Sequence, residues 1–537
     1  MSPIPGATAR AWRLLETGPA PAAWHMALDA VLLERCGHGA VDPSPPTVRL
    51  LRFSPPAVLV GAFQSVETEV RLEHCQSHGI DVSRRVTGGG AIFFDESQIG
   101  WEIACRFEDL GGPSRPSEDL FRSLSEPVVA ALRELGLPAR YRPRNDIEVH
   151  GRKISGTGGT DLHGALLFQG TLLVDLDVET MVRALRVPVE KLSRREVEGM
   201  RDRVTWLSRE LGAAPPASEL RDLLLRCFER ALGVELRPGD LTRAEAAALD
   251  AKLPLVRSDE WVVGRARTRG DCGKAVFPAE GGVVHAVVRT EDGGRRLRAV
   301  ALDGDFFAFP RRAVLDLEAW LKGVTVAHLP GAVERFFHEH EVEIPGVGAA
   351  GVTAAILEAV ERTSRTRLGM SPRQLNSVFP VGGSIESVTA RRPTHLLLPY
   401  CAKPVDCEWR RLDGCDGCGE CTVGAAVLAA RREGLEARSI TSFEHLMRTL
   451  DELAGLGAPA FLGSCCEAFY VKHRRELEAV GLPGLLVDVA AGETCYDLGK
   501  ASFAERGEFE GESALDLDLL ESVLRAWNGG EADAAAR

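Results

Sequence analysis

Arg84-Arg85-Val86-Thr87-Gly88-Gly89-Gly90-Ala91-Ile92-Phe93-Phe94-Asp95 is the densest signal in the chain. Three consecutive glycines let backbone N–H groups approach a ligand closely, and the two arginines offer anion-binding forks. By itself the run fits a plain turn as well as a ligand loop. A second stretch bears on the choice: Arg144-Asn145-Asp146-Ile147-Glu148-Val149-His150-Gly151-Arg152-Lys153-Ile154-Ser155-Gly156-Thr157-Gly158. It reads as a short strand that turns at Gly151 and presents Lys153 beside Ser/Gly-rich sequence. A basic hairpin with a solvated lysine would look the same. However, Arg140, Arg142, Arg144, Arg152 and Lys153 crowd the stretch 140–153 of an acidic protein, and such a field suits a phosphate-bearing ligand. A third stretch, Leu166-Leu167-Phe168-Gln169-Gly170-Thr171-Leu172-Leu173-Val174-Asp175, reads as a strand closing the same pocket.

Around these stretches, strands and helices mix. Thr47–Phe53 alternates apolar and polar residues, and Ala57–Phe63 is a short apolar run after Pro55-Pro56. Asp119–Leu137 carries Leu120, Leu124, Val128, Leu132 and Leu135 at helix spacing. Ser218–Leu232 reads as a helix too, with Cys227 on its apolar face. Strand pairs without strict alternation predict an α+β layer with a mixed sheet rather than a doubly wound one. A second block, about 255–362, pairs Val283–Arg289 with Arg295–Leu302 across the turn Glu291-Asp292-Gly293-Gly294. Helices are expected near Leu315–Leu321, Ala332–His340 and Val352–Glu361. The Ser/Thr/Arg/Gly/Pro-rich stretch 363–392 reads as mostly linker. The last block alternates strand and helix from His395 to Val489, which predicts a parallel α/β sheet. The expected division is 1–252, 253–362, a linker 363–392, 393–527 and a tail 528–537.

Composition narrows the class. The chain has 537 residues, 45% of them hydrophobic and 26% charged, enough to bury several cores. Its net charge of −13 argues against a general nucleic-acid binder. No run reaches the roughly 18 apolar residues of a membrane span. Met1-Ser2-Pro3-Ile4-Pro5-Gly6 lacks the apolar centre of a secretory signal, so a cytoplasmic protein without membrane or nucleic-acid partners is expected.

The three stretches, in this order and spacing, resemble the lipoate–protein ligases of the biotin/lipoate ligase superfamily. That family's pattern is Arg-Arg-x-x-Gly-Gly-Gly, then Asn-Asp with Gly-x-Lys-Ile-Ser-Gly, then Gly-Thr-Leu-Leu. Trp12-Arg13-Leu14-Leu15, His25-Met26-Ala27-Leu28-Asp29 and Arg201-Asp202-Arg203-Val204-Thr205-Trp206-Leu207 also fit it. The match spans about residues 10–250. The second block, with Gly304-Asp305-Phe306-Phe307, is similar to the accessory C-terminal domain of those ligases.

The resemblance implies activation of lipoate by ATP to lipoyl-AMP, then transfer to a lysine of a lipoyl domain or a glycine-cleavage H-like protein. It implies Lys153 as the catalytic lysine. Arg84, Arg85, Gly88, Gly89, Gly90, Ala91, Ile92, Phe93, Gly170 and Thr171 would hold nucleotide and lipoyl chain. Asn145 and Asp146 would bind phosphate-linked Mg²⁺ or order Lys153, and 201–207 would close over the adenylate. Two positions depart from the family pattern: Phe94 stands where His often precedes the Asp, and Phe168-Gln169 stand where His-His often precedes Gly-Thr-Leu-Leu. Both bear on acyl preference. An octanoyltransferase of the same superfamily needs a cysteine nucleophile, and none lies between Cys105 and Cys227. The biotin ligase signatures Gly-Arg-Gly-Arg and Lys-Trp-Pro-Asn-Asp are missing. A metal or redox scaffold carrying a degenerate ligase domain is the non-enzymatic alternative.

Cysteines divide the chain differently. Cys36, Cys75, Cys105, Cys227 and Cys272 are scattered and read as core fillers. The rest follow the spacing Cys401-x₅-Cys407-x₇-Cys415-x₂-Cys418-x₂-Cys421, with Cys465, Cys466 and Cys495 beyond. Successive C-x₂-C steps are a metal signal that suits zinc or iron–sulfur. Eight thiols exceed one zinc site, which favours an iron–sulfur cluster, with Cys401, Cys465, Cys466 and Cys495 expected to converge where the parallel strands end. This region also resembles a cysteine-rich domain family of bacteria and archaea.

Overall fold

The computed structural model describes residues 11–111, 116–143, 145–186, 203–264, 272–363, 369–492 and 505–529. Strands β1 (Ala11–Ala20), β2 (Thr47–Phe53), β6 (Ile99–Arg106), β7 (Arg140–Arg142), β8 (Asp146–Val149), β9 (Arg152–Leu162), β10 (Ala165–Leu172) and β11 (Glu235–Pro238) form one sheet. Its order is β11-β1-β2-β6-β10-β9-β8-β7. β1 runs parallel to β11 and β2, whereas the remaining neighbours pair antiparallel, so the sheet is mixed and the fold is α+β. A smaller sheet sets β3 (Ala57–Val60) between β4 (Asp81–Arg84) and β5 (Ile92–Phe94).

The large sheet is buried on both faces because alternate residues of its central strands are apolar on each side. Trp101, Ile103, Phe168 and Leu166 pack under the helices Glu118–Glu134 and Ala217–Leu232. Leu51, Phe53, Ala104 and Leu167 pack under the helix Ala22–Cys36. The two expected helices, 119–137 and 218–232, therefore lie within a few residues of those observed.

Polar groups also cross this core. Arg49 on β2 is almost fully buried, and its Nη1 lies 2.6 Å from Asp29 Oδ1 and 2.8 Å from Glu102 Oε2. Its Nη2 donates to His25 Nδ1 at 2.6 Å. His25 Nε2 donates to the Arg52 carbonyl at 2.7 Å. With one ring nitrogen accepting and the other donating, the ring is neutral. Burial, then the Arg49 charge, push its pKa down to about 3, although the bond to the Arg52 carbonyl opposes them. Burial and the neighbouring Glu102 push Asp29 up, against the pull of Arg49.

The second block packs β12 (Gly273–Ala279), β13 (Gly282–Glu291) and β14 (Arg296–Gly304) as an antiparallel sheet. Against it lie the helices Ala313–Trp320, Leu329–Glu339 and Gly348–Glu361. The third block orders β15 (Val378–Val381), β16 (His395–Pro399), β17 (Glu436–Ile440), β18 (Phe461–Ser464) and β19 (Gly484–Val487) as β15-β19-β18-β16-β17. Its strands are parallel except β15, which pairs antiparallel to β19. β15 falls in the stretch read from its composition as linker. All of Val378–Val381 is buried, and that short apolar run outweighs the loop-forming residues around it. Arg474 and Glu358, 2.8 Å apart, join the third block to the second. No helix among the described residues is long and apolar enough to cross a membrane.

Replacing Arg49 by Met leaves Asp29 and Glu102 in the core without a counter-charge. Breaking such a buried pair costs about 3–5 kcal/mol. Native-state hydrogen exchange of the Val48–Leu51 amides should show that loss locally, and unchanged protection would mean the network adds nothing to stability.

Candidate functional site

Between the large sheet, the glycine loop and the second block lies a cavity of about 1060 Å³. Lys153, Asp146, Asn145, Gly88–Phe93, Gly170 and Thr171 line it together, so most of the expected site residues meet. How Lys153 comes to face it depends on one irregularity. The β8–β9 register pairs Asp146 with Gly156 and Ile147 with Ser155, then skips Ile154 and pairs Glu148 with Lys153. A bulge of this kind changes the face onto which the following side chains point. Here it puts Lys153 on the face of Asp146, Glu148 and Gly156.

Gly156 leaves room there, because a Cβ at that position would lie 2.7 Å from Lys153 Cε and Nζ and displace the end of that side chain. The lysine folds back across the glycine to bring Nζ 2.7 Å from Asp146 Oδ1. Asp146 Oδ2 takes Arg142 Nη2 at 2.5 Å. Burial alone would push the Asp146 acid up; Lys153 and Arg142 overcome it and hold the pKa below the ordinary carboxylate value. The backbone of Lys153 is fixed as well. Its N–H donates to the Arg203 carbonyl at 2.8 Å, and its carbonyl accepts from the Thr205 N–H at 2.8 Å. The 203–205 part of the expected closing loop thus pairs directly with the lysine, while Arg201, Asp202 and Arg144 lie outside the described residues.

The arginines behave differently from the sequence expectation. Arg84 Nη1 donates to the Gly61 and Gln64 carbonyls at 2.8 and 2.6 Å, and its Nη2 donates to the Val262 carbonyl at 2.8 Å. Arg85 Nη1 and Nη2 donate to the Leu59 and Gly90 carbonyls at 2.7 and 2.8 Å. Arg85, which lines the cavity, thus braces the glycine loop, whereas Arg84 ties the 61–64 segment to 262. The basic stretch is also largely neutralised: Arg140 and Arg142 pair with Glu148, and Arg152 pairs with Glu210. Glu148 lies within the same stretch, whereas Glu210 is distant in sequence, so a count of basic residues alone overstated the field.

The glycine loop is small because backbone passes over it. Gly89 has φ +90° and its N–H donates to the Phe306 carbonyl at 3.2 Å. A Cβ on Gly88 would stand 2.5 Å from that same carbonyl oxygen. The Gly304–Phe307 turn of the second block thus closes one side of the cavity, with Phe307 near Gly89 and Gly158. Sequence reasoning missed Phe307, Gln98 and Glu102 as cavity residues. Glu102 carried a signal, as a charge inside the apolar strand Trp101–Phe107. Phe94 packs at a tilt against Phe53, ring centroids 4.6 Å apart, and Phe168 is buried in the core, whereas Gln169 lines the cavity.

Among the described residues, no group of three His, Cys, Asp or Glu is placed to hold a metal ion. Cys401, Cys465 and Cys466 lie near one another, and Cys407, Cys415 and Cys421 form a second group. Cys401 and Cys466 share an apolar cluster with Tyr400 and Phe509, and Cys401 Sγ accepts from Ser513 Oγ at 3.2 Å. Cys465 packs in another core with Tyr470. Cys407, Cys415 and Cys421 lie around buried Lys403, whose Nζ donates to the Trp409 and Gly414 carbonyls at 2.5 and 2.7 Å. Cys421 Sγ accepts from Gly424 N at 3.4 Å as the cap of the helix Thr422–Arg432, and Cys418 is exposed. Cys495 lies outside the described residues.

Because the Asp146 carboxyl is held below its ordinary value near 3.9, it adds stability above that pH, and the contribution is lost as pH falls through the lowered folded value. Asp146→Asn should flatten the acid dependence of exchange protection in β8 and β9. Superimposable wild-type and variant profiles would show that Lys153 and Arg142 do not hold the acid ionised.

Comparison with known proteins agrees with this geometry. The family model described as lipoyl protein ligase A/B catalytic domain matches residues 21–229. Octanoyltransferase LipM of Symbiobacterium thermophilum is 34% identical over 256 residues, covering 44% of this chain and 91% of that protein. Lipoate-protein ligase A subunit 1 of Thermoplasma acidophilum is 29% identical over 265 residues, covering 47% of this chain and 96% of that protein. The crystal structure of P. falciparum LipL1 in complex with lipoate shares the fold at a TM-score of 0.51 and 15% identity, covering 64% of this chain and 98% of its own. With a bulge-positioned lysine, a braced glycine loop and relatives matched over nearly their whole length, the chain belongs to the lipoyl protein ligase A/B family.

Proposed function

We propose that the chain is an ATP-dependent lipoate–protein ligase. A lipoate carboxylate oxygen attacks the α-phosphorus of ATP, pyrophosphate leaves, and lipoyl-AMP forms. The ε-amine of an acceptor lysine then attacks the acyl carbonyl, AMP leaves, and the amine loses a proton as the amide forms. The observation that carries this reading over a transferase is the character of the cavity. A thioester mechanism needs a thiolate at the site, and among the described residues no cysteine lines it. Burial pushes the nearby thiols up, Cys36 to about 12, Cys75 and Cys227 to about 11, and Cys105 well above its ordinary value. The similarity to an octanoyltransferase favours the second reading, acyl transfer without ATP, which would need a nucleophile of another kind.

Lys153 is the cation for the first step. It sits where charge on the carboxylate and α-phosphate can be stabilised, and Asp146 sets its position. Asp146, whose carboxyl is held below its ordinary pKa, is the residue that would hold a phosphate-bound Mg²⁺, since magnesium is commonly held by one or two carboxylates plus substrate phosphates. With Asn145 beside it, the ion would screen phosphate charge when bound. The braced backbone of 88–93 would hold nucleotide and acyl chain. Residues 253–362 would act as an accessory unit to a catalytic unit 1–252, since the Phe306 carbonyl engages Gly89. The acceptor would be a lipoyl domain or a glycine-cleavage H-like protein, and ATP use would fit a cytoplasmic location.

Pyrophosphate release that requires both lipoate and ATP tests the reading; acyl transfer from an acyl-carrier donor without ATP would overturn it. A lysine–phosphate pair at 4 Å is worth ~4 kcal/mol at an effective dielectric of 20. Lys153→Ala should therefore slow adenylation about a thousandfold in a folded protein. Wild-type rates in that variant would remove Lys153 from the mechanism.

A further inference from the structure

Strand β6 lines the cavity with alternate residues. Gly100 and Glu102 face it, as does Gln98 just before the strand, while Ile99, Trp101 and Ile103 enter the opposite core. Leu51 on β2 pairs with Gly100, and one inward step further along this register brings Phe53 beside Gln98. Met26, Leu51, Phe53, Leu59 and Phe94 make this part of the cavity apolar. Into it projects a glutamine that is fully buried and whose Oε1 and Nε2 both lack a hydrogen-bond partner. A second amide, Gln169, faces the cavity opposite Glu102 in the β6–β10 register, and its Oε1 is unpartnered too.

A buried polar group without a partner is costly, and a primary amide needs a ligand that can both donate and accept. A plain hydrocarbon chain does neither. We propose that Gln98 determines acyl specificity, selecting an eight-carbon acid whose chain carries a hydrogen-bonding substituent over unsubstituted octanoate. A thiol or hydroxyl can donate to Oε1 and accept from Nε2; a dithiolane sulfur accepts weakly from Nε2. Thiol- and hydroxyl-bearing chains thus meet both ends of the amide, the oxidised dithiolane only Nε2, and a plain hydrocarbon neither. This inference rests on the cavity holding the acyl chain, as the ligase reading has it, and it assigns a residue to the choice between lipoyl and octanoyl groups. The physical reason is asymmetric: a site built to hydrogen-bond a substituent strongly rejects the analogue that lacks it, whereas an apolar pocket discriminates poorly.

The test is calorimetric binding of the free acids to the full chain without ATP, so that its outcome is independent of the activation chemistry. The probes are lipoate, dihydrolipoate, ω-hydroxyoctanoate and octanoate. Wild-type protein should bind the substituted chains more tightly than octanoate. Gln98→Leu and Gln98→Met, which fill the same apolar surroundings, should shift the ratio towards octanoate about tenfold. Stronger binding of dihydrolipoate and ω-hydroxyoctanoate than of lipoate would identify a donor as the required group; the reverse would identify the dithiolane. An unchanged ratio in both variants, or wild-type preference for octanoate, overturns the inference. Lack of pyrophosphate release alongside the expected binding ratios would count against the ligase reading alone.

Discussion

Ile154 has no partner across the β8–β9 ladder, and the site depends on that skipped residue. In a regular ladder Lys153 and Ser155 would share a face. The bulge moves Lys153 to the other face, where Gly156 gives it space and Asp146 gives it a counter-charge. The ladder continues with Glu148 opposite Lys153, while the lysine's backbone N–H and carbonyl pair on the other edge with the 203–205 segment.

The glycine loop solves a related steric problem. Its residues are small because carbonyls and rings crowd it from both sides. A Cβ on Gly61 would stand 2.0 Å from the Gly89 carbonyl oxygen, and one on Gly88 would meet the Phe306 carbonyl. Arg84 and Arg85 hold the loop by binding its carbonyls and those around it, which leaves backbone N–H groups as the polar surface offered to a ligand.

Much of this was legible in the sequence where the signal was local. Alternation marked β2, helical spacing marked the two helices over the core, and the Glu291–Gly294 turn marked the β13–β14 hairpin. The grouping of Lys153, Asp146 and the glycines was legible as motif order. What sequence could not reveal was partnership across distance. Arg85 and Arg152 carry the same charge, yet carbonyls of its own small sheet and loop surround the first, whereas an acid distant in sequence, Glu210, neutralises the second. β15 was hidden for a similar reason: four apolar residues in a loop-like composition become a strand only because β19 stands open beside them.

The cysteines show the same limit from the opposite side. Their spacing is a strong local signal, but ligation needs convergence, and the parallel sheet distributes them. Cys401 follows β16 and Cys465-Cys466 follow β18, so these thiols do reach one edge of the sheet as the topology requires. Cys407, Cys415 and Cys421 instead belong to a loop drawn around the Lys403 ammonium. Arg410 strengthens that arrangement by donating to the Phe509 and Gly511 carbonyls at 3.0 and 2.6 Å. Two buried cations thus organise the cysteine loop through backbone oxygens. A buried charge without partners is far more costly than a buried thiol, so the loop's shape follows its lysine and arginine first and its cysteines second.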